Sequence, residues 1–243
     1  MTGRGGESEG EEQGPRNPGE EGSALVLGAT GLVGGALVDL LLRDPRWKGI
    51  HLLLRRPPPP SLQRPGLTHE VLPPGEWGGD PGRYGVRTVF VTLGTTRKSA
   101  GSAEAFRQVD LHLVVEAARA AEEGGARQFQ VVSSVGADPG SRFLYPRTKG
   151  EMEREVSLMD IPSIVILRPS LLLGERDQVR PGEKVAEFLL RPLGGLLRGP
   201  LEPLRPIRAR EVAAAMGALA WSPGSGISVL GPGQIRSRGA SGG

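Results

Sequence analysis

Cysteine is absent from this chain of 243 residues, and so is any long apolar run. Without thiols the protein has neither a disulfide framework nor a thiolate metal site. No apolar stretch reaches about 18 residues, the length that a membrane-spanning helix needs, so no transmembrane segment is expected. The glutamate-rich start is unlike an arginine-rich presequence or a signal peptide. These features predict a cytoplasmic protein, with the nucleus and the outer surface of mitochondria as alternatives.

Lysine and histidine are also scarce, with four and three residues respectively. The net charge of +3 therefore depends mainly on arginine, and the arginines are scattered instead of massed in a run with interleaved aromatic residues. On that basis we expect no nucleic-acid partner. His51, His69 and His112 have no second histidine within one helical turn and no cysteine to assist them, so no metal site is predicted.

The composition divides the chain into three regions. Residues 1–22 contain seven Gly and six Glu but no Val, Ile, Leu or Phe. They cannot bury enough apolar surface to offset chain entropy and are expected to be disordered. Residues 222–243 are rich in Gly and Ser and predict a frayed tail around one short strand at 227–230. Residues 23–221 have the size of one domain with one buried core.

Short apolar runs alternate with helical periodicity through this central region. Strands are predicted at 23–27, 50–54, 70–72, 88–93, 129–133 and 163–167, and helices at 32–43, 103–123 and 145–159. The alternation predicts an α/β, Rossmann-like fold with a doubly wound parallel β-sheet, as a single domain with a small C-terminal substrate-side segment at 170–206. Ligands of such sheets bind beyond the carboxyl ends of the strands.

The first strand leads directly into a glycine-rich turn at 28–35. In a dinucleotide-binding turn, Gly28 permits the tight bend, Gly31 lets the backbone approach a pyrophosphate, and Gly34 lets the helix pack against the sheet. The N terminus of the helix then offers free N–H groups to the anion. The alternative is an ordinary strand-to-helix turn. The expected cofactor contacts here are Gly28, Thr30, Gly31, Leu32, Val33 and Gly34.

The end of the second strand selects between the two nicotinamide dinucleotides. NAD-preferring sites place Asp or Glu there, whereas this chain has Arg55 and Arg56, whose guanidinium groups suit a 2′-phosphate. We therefore expect NADP(H), the alternative being that one or both arginines simply face solvent. After the fourth strand, Leu93, Gly94 and Thr95 are expected to lie along the cofactor.

Tyr145 and Lys149 are spaced to share one helix face, after a fifth strand that ends in Ser133 and Ser134. A phenol has an ordinary pKa near 10, and a nearby ammonium lowers the pKa of such a group. In hydride transfer to a carbonyl, Tyr145 would protonate the alkoxide, Lys149 would hold the nicotinamide ribose, and a serine would orient the oxygen. The alternative is a capping serine pair and a helix with a solvated lysine.

Several motifs occur in a fixed order, at 28–35, 93–97, 109–110, 133–137, 143–151, 168–169 and 180–183. In these motifs the chain resembles the atypical short-chain dehydrogenase/reductase group that contains the animal Tat-interacting oxidoreductase-like tumour suppressor and its fungal mitochondrial relatives. The resemblance implies NADPH binding, with Tyr145, Lys149 and Ser133 or Ser134 at the catalytic positions. Tyr145, Lys149 and Arg168 are also expected to contact the cofactor. Asp110 departs from the asparagine that many dehydrogenases of this superfamily carry in the helix after strand four.

Two functions of different class follow from this resemblance. The first is an NADP(H)-dependent oxidoreductase acting on a small carbonyl or alcohol, as a monomer or a homodimer. The second is a catalytically weak NADPH-binding regulator that acts through protein partners in apoptosis, transcription or nuclear import.

Overall fold

A computed structural model describes residues 20–95, 97–173 and 205–240. Its strands are β1 (Glu20–Leu27), β2 (Gly49–Leu54), β3 (Leu67–Val71), β4 (Val86–Val91), β5 (Gln128–Val132), β6 (Ser163–Leu167), β7 (Leu172–Leu173), β8 (Ile207–Arg208) and β9 (Gly226–Leu230). The helices are α1 (Leu32–Arg43), α2 (Arg97–Ala100), α3 (Ala103–Arg107), α4 (Leu113–Glu123), α5 (Leu144–Val156), α6 (Ala209–Ala220) and α7 (Pro232–Ala240). A π-helical turn, Gln108–His112, joins α3 to α4.

Seven of the strands form one parallel sheet in the order β3-β2-β1-β4-β5-β6-β9, and β7 pairs with β8 apart from it. The order reverses between β1 and β4, which is where doubly wound sheets bind their ligands. The predicted Rossmann-like fold is confirmed.

Two apolar clusters cover the two faces of this sheet. Along β1, Val26 belongs to the cluster under α1 and α6, whereas Leu25 and Leu27 belong to the cluster under α4 and α5. Strand segments that are buried on both faces are apolar, which is why residues 24–27 of β1 and 89–91 of β4 are continuous hydrophobic runs.

Buried polar side chains tie the middle of the sheet to α6. The Nε2 group of Gln130 donates to the carbonyl oxygen of Met216 at 3.1 Å and to Oε1 of Gln128 at 2.9 Å. Gln128 in turn donates to the carbonyl oxygen of Leu219 at 3.2 Å. The last turn of α6 is therefore anchored by side chains of β5.

Residues 226–240 form the strand that was expected at 227–230 and, after it, a helix in place of the expected frayed tail. The strand β9 pairs with β6 as the seventh strand of the sheet, and α7 buries Ile235 against the core. Apolar residues are sparse there, so composition alone gave no sign of this helix.

Several bounds shift by up to three residues, and two further differences from the sequence expectation have a physical reason. The third strand occupies 67–71 instead of 70–72, because its pairing begins with Leu67 opposite Ile50 and most of its side chains are exposed, which weakens the apolar signal. The helix expected at 103–123 is interrupted by the π-helical turn. Residues 1–19, most of the substrate-side segment (174–204) and the motif at 180–183 lie outside the described residues. In the described parts of the chain, no helix has the length and apolarity needed to cross a membrane.

Candidate active site

The glycine turn between β1 and α1 has two positions that packing fixes. Gly28 has φ +88°, and a Cβ atom there would lie 2.7 Å from the carbonyl carbon of Thr92. A Cβ atom on Gly34 would lie 2.2 Å from the carbonyl oxygen of Gly28. Only glycine allows α1 to approach the turn this closely, as the fingerprint requires.

Gly31 differs, because little of the protein surrounds it. The nearest atom to a Cβ at Gly31 is the carbonyl oxygen of Gly28 at 3.2 Å, and the Gly31 N–H donates to that oxygen at 2.9 Å. Gly31 is also the N-cap of α1, with no side-chain cap and no acidic residue in the first turn of the helix. The N terminus of α1 is thus an uncapped positive helix end, which fits a pyrophosphate.

The flanking residues of this turn divide between the surface and the core. Thr30 is exposed, Leu32 is half-buried, and Val33 is buried in the cluster under α1. Thr30 and Leu32 can therefore contact a ligand at the turn, whereas the side chain of Val33 serves packing.

Arg55 and Arg56 follow β2 directly and are both exposed. Neither guanidinium forms a hydrogen bond or ion pair with any other described residue. Since β2 is the neighbour of β1 in the sheet, both arginines lie at the same edge as the glycine turn. An anionic group bound beside that turn would lie near two cations, neither of which is paired with a carboxylate of the described residues.

The loop after β4 leads toward α2 at the same edge of the sheet as the glycine turn. Leu93 is buried, Gly94 is exposed, and the backbone N–H of Thr95 donates to Oδ2 of Asp110 at 2.9 Å. The π-helical turn that carries Asp110 therefore fixes this loop.

Lys149 lies in a buried ion pair. Its Nζ atom is 2.8 Å from Oδ1 of Asp110 and 3.4 Å from the carbonyl oxygen of Val132, at the end of β5. Lys149 is 3% exposed and Asp110 is 0% exposed. The solvated lysine of the alternative interpretation is therefore not what the structure shows.

Tyr145 occupies the second position of α5, one turn before Lys149, and is 44% exposed. Its ring lies against that of Phe106, with 5.7 Å between the centroids. The ring is held on one side by α3, and nearly half of the side chain is accessible to a ligand.

The two serines after β5 have different environments. Ser133 is buried, and its hydroxyl donates to Oε1 of Glu153 at 2.5 Å. Ser134 is half-buried, and its hydroxyl donates to the carbonyl oxygen of its neighbour Val135 at 3.2 Å. The hydroxyl hydrogen of Ser133 is therefore used in a hydrogen bond to a buried carboxylate.

Glu153 also holds Arg168 after β6. Arg168 donates from Nε at 2.9 Å to Oε1 and from Nη2 at 2.5 Å to Oε2 of Glu153. The hydrogen bonds to Glu153 raise the pKa of Arg168, which keeps its guanidinium charged. Sequence reasoning missed Glu153, although its spacing of four from Lys149, on the face that also carries Tyr145, was a signal for it.

The described residues contain no group of three or more His, Cys, Asp or Glu side chains that could hold a metal ion.

Comparison with known proteins finds related sequences in fungi. No family model matches the chain. The FMP52 protein of Debaryomyces hansenii is 32% identical over 205 residues, which cover 83% of this chain and 88% of the relative. The FMP52 protein of Candida albicans is 37% identical over 196 residues, which cover 79% and 86% respectively. The predicted resemblance to fungal mitochondrial proteins is confirmed.

Solved structures share the fold at low identity. MoeE5, solved with UDP-glucose and NAD, has a TM-score of 0.64 at 19% identity and covers 90% of this chain, with 81% of its own length matched. WbmH of Bordetella bronchiseptica, solved with NAD+, has a TM-score of 0.66 at 14% identity, covering 88% and 78%. These likenesses show the architecture of the chain.

The expectation of a cytoplasmic protein is wrong, because these fungal relatives carry names that mark them as mitochondrial proteins. That expectation depended in part on the glutamate-rich start of the sequence, which is unlike a presequence. The matches cover 88% and 86% of these two relatives at 32% and 37% identity, and the chain therefore belongs to the FMP52 family.

Proposed function

We propose that this protein is an NADP(H)-dependent oxidoreductase that acts on a small carbonyl or alcohol. One observation carries the proposal: the uncapped N terminus of α1 and the Tyr145–Lys149 pair lie at the same edge of the sheet. The first fits the pyrophosphate of a dinucleotide, and the second fits acid–base chemistry at a carbonyl oxygen.

Bound NADPH would supply a hydride to the carbonyl carbon of the substrate. The partly exposed Tyr145 hydroxyl would give its proton to the carbonyl oxygen. The Lys149 ammonium has three N–H donors and two polar neighbours, Oδ1 of Asp110 in an ion pair at 2.8 Å and the carbonyl oxygen of Val132 at 3.4 Å. A remaining donor would serve the ribose hydroxyls of the dinucleotide.

Ser134 is the serine that we assign to the substrate. The Ser133 hydroxyl donates to the buried Glu153, so it cannot donate to a carbonyl oxygen without leaving that carboxylate. The Ser134 hydroxyl has only a bond to the adjacent backbone to give up. Ser134→Ala should therefore lower kcat by about tenfold or more, whereas Ser133→Ala should lower thermal stability with a smaller effect on kcat. Equal kinetic effects of the two substitutions would contradict this assignment.

The preference for NADP(H) is supported by Arg55 and Arg56. Their exposed guanidinium groups can pair with a 2′-phosphate, and no carboxylate follows β2 to accept from a free 2′-hydroxyl. Titration of the purified protein with NADPH and NADH tests this preference. We expect the double substitution Arg55→Ala/Arg56→Ala to raise the Kd for NADPH about tenfold to a hundredfold, with little change for NADH.

Arg127→Ala is the matched control for that titration. Arg127 is exposed but precedes β5, at the opposite edge of the sheet, so its loss changes the net charge without touching the proposed site. Because this control removes one positive charge and the double variant removes two, a loss of NADPH binding free energy half as large as that of the double variant would mean that only bulk charge matters. Failure of the wild-type protein to bind either dinucleotide would overturn the proposed function.

Turnover is tested with a panel of aldehydes, ketones and quinones in the presence of NADPH. Tyr145→Phe should abolish reduction while leaving the Kd for NADPH within about twofold of the wild-type value, since the phenolic hydroxyl acts on the substrate. Tight NADPH binding without turnover of any compound would instead favour the regulatory role.

The names of the fungal relatives support a mitochondrial location for this chain. Fractionation of cells that express the full chain tests this location, and recovery outside the mitochondrial fraction would contradict it. The relation to the animal Tat-interacting tumour suppressor stays a prediction.

A further inference from the structure

The last strand of the sheet, β9, has one edge that pairs with no other strand in the described part of the chain. On its other edge, the N–H of Gly226 donates to the carbonyl oxygen of Pro162 at 2.9 Å, and the carbonyl oxygen of Leu230 accepts at 2.8 Å from the residue that follows β6. Backbone groups alternate in direction along a strand. The N–H and C=O groups of Ile227 and Val229 therefore point away from β6.

The side chains of Ile227 and Val229 lie on a face of the sheet that is left uncovered at β9. In the register with β6 they stand beside Ile164 and Ile166, which are buried in the cluster under α4 and α5. That cover ends before β9, because Ile227 is 50% exposed and Val229 is 45% exposed. The same two residues thus present outward backbone groups and exposed apolar side chains.

The opposite edge of the sheet, β3, carries side chains that oppose pairing with another chain. His69 and Glu70 are both exposed on this strand, and Glu70 forms an ion pair with Arg83 at 2.6 Å. Ionisable side chains are a common protection of edge strands. The sequence of β9, GISVL, contains none. Of the two edges of the sheet, β9 is therefore the one suited to pairing with a further strand.

The outward groups of β9 are spaced so that the strand complements itself. If two β9 strands meet antiparallel about a two-fold axis at Ser228, then Ile227 of each copy lies opposite Val229 of the other. Each of these residue pairs exchanges two hydrogen bonds, so every outward group of both residues gains a partner. Pairing of β9 with β3 of another copy would instead be a head-to-tail contact, which the ionisable residues of β3 oppose.

We propose that β9 is the interface of a homodimer in which the seven-stranded sheets of two copies join, antiparallel, into one continuous sheet. No residue of the candidate active site takes part, so this interface is independent of the proposed function. Two short strands bury less area than a standard dimer interface, and we therefore expect a Kd of about 10 to 100 µM.

Sedimentation of the full chain over about 2 to 200 µM measures this association. Val229→Pro is the decisive variant, because proline lacks the outward N–H and its ring occupies the edge, while no hydrogen bond to β6 is lost. We expect this substitution to raise the Kd of the dimer by about tenfold or more.

His69→Pro is the matched control, since it makes the same kind of change at the other edge of the sheet. The N–H of Leu72 donates to the carbonyl oxygen of Leu54 on β2 at 2.9 Å, so by the same alternation the N–H of His69 points outward. Its dimer should keep a Kd within about twofold of the wild-type value, and thermal melts show whether both variants are folded. A wild-type chain that stays monomeric at about 200 µM, or a Val229→Pro chain that associates like wild type, would overturn the proposal.

A pair of charged variants covers the case in which Val229→Pro does not fold, and it also tests the register. Ile227→Lys and Val229→Glu each place a charge on the edge, and each should weaken self-association. In a mixture of the two, the new ammonium of one copy lies opposite the new carboxylate of the other, and the second cross-strand pair stays apolar. The mixture should associate about threefold to fivefold more tightly than either variant alone. No gain on mixing would contradict the two-fold pairing.

Hydrogen exchange of the edge amides identifies any other occupant of β9. The N–H groups of Ile227 and Val229 should exchange rapidly at about 1 µM and more slowly as the concentration rises through the Kd. Slow exchange already at the lowest concentration would mean that another segment of the same chain covers this edge, which would overturn the proposed dimer.

Discussion

Three glycines of one turn should respond differently to the same added methyl group. The substitutions are Gly31→Ala, Gly34→Ala and Gly35→Ala, which lie within five residues of the chain. The nearest atoms to the new Cβ would be at 3.2 Å, 2.2 Å and 3.5 Å respectively. The chemical change is constant, so the difference in outcome depends only on what surrounds each position.

The magnitudes follow from those distances. At Gly34 the methyl group would overlap the carbonyl oxygen of Gly28 and Oγ1 of Thr92, both of which are held by the turn. Moving α1 away from the turn should cost about 3 kcal/mol, at the upper end of what overpacking usually costs. At Gly35 the contact is an ordinary one, and replacing a glycine within a helix by alanine should stabilise by about 0.5–1 kcal/mol.

Gly31→Ala should separate binding from stability. A contact of 3.2 Å needs a displacement of only a few tenths of an ångström, which should cost less than about 1 kcal/mol. The methyl group would, however, stand on the surface where the backbone is proposed to meet a pyrophosphate. The Kd for NADPH should therefore rise by about tenfold or more, equivalent to about 1.4 kcal/mol.

Thermal melts followed by circular dichroism and titrations followed by NADPH fluorescence measure both quantities. For a domain of this size the expected losses and gains correspond to a Tm about 6–12 °C lower for Gly34→Ala and about 1–4 °C higher for Gly35→Ala. A Gly34→Ala protein that melts within about 2 °C of wild type would refute the packing argument. Unchanged NADPH affinity in Gly31→Ala would refute the proposed contact with the pyrophosphate.

Three further substitutions test the interior. Tyr84→Phe removes the bond from the phenol to the carbonyl oxygen of Trp77, at 3.1 Å, and should lower the free energy of unfolding by about 1 kcal/mol at neutral pH. Because burial raises the pKa of Tyr84, the stability that this phenol contributes is complete below about pH 10 and is lost as the pH rises further. This alkaline fall should be smaller in the variant, as urea unfolding at several pH values would show. Gln130→Ala should cost about 2–3 kcal/mol in the same assay, since the carbonyl oxygen of Met216 and a second glutamine lose their donor; a cost under about 0.5 kcal/mol would contradict the anchoring of α6. Glu153→Ala should cost about 2–3 kcal/mol by leaving a buried hydroxyl and a half-buried guanidinium without their acceptor, and a chain that melts like wild type would argue against that network.

The parts of the fold with a strong apolar period could be predicted from the sequence. The strand at 163–167 agrees residue for residue, and α1 begins and ends where its periodicity does. The third strand and α7 could not be predicted in this way. The side chains of the third strand are largely exposed, and α7 has few apolar residues. The stability of both elements therefore comes from pairing and packing partners that are distant in the sequence.

The candidate site was predictable to the level of its residue types. Tyr145 and Lys149 follow from their spacing, and the glycine turn follows from its position after a strand. The partners were not predictable, because a π-helical turn has no reliable sequence signature and decides where Asp110 lies. The division of roles between Ser133 and Ser134 likewise depends on Glu153, whose contact with a strand end appears only in three dimensions.

Two of the three polar side chains on one face of α5 tie this helix to the sheet. Three polar residues, Tyr145, Lys149 and Glu153, share one face at intervals of four. Lys149 is tied to the end of β5 and, through Asp110, to the loop after β4. Glu153 is tied to the ends of β5 and β6. The helix is therefore fixed to three adjacent strand ends, and of the three side chains only Tyr145 has no polar partner among the described residues. That arrangement fixes the backbone position of Tyr145 before any ligand arrives, which would preorganise the site for the proposed proton transfer to a bound carbonyl.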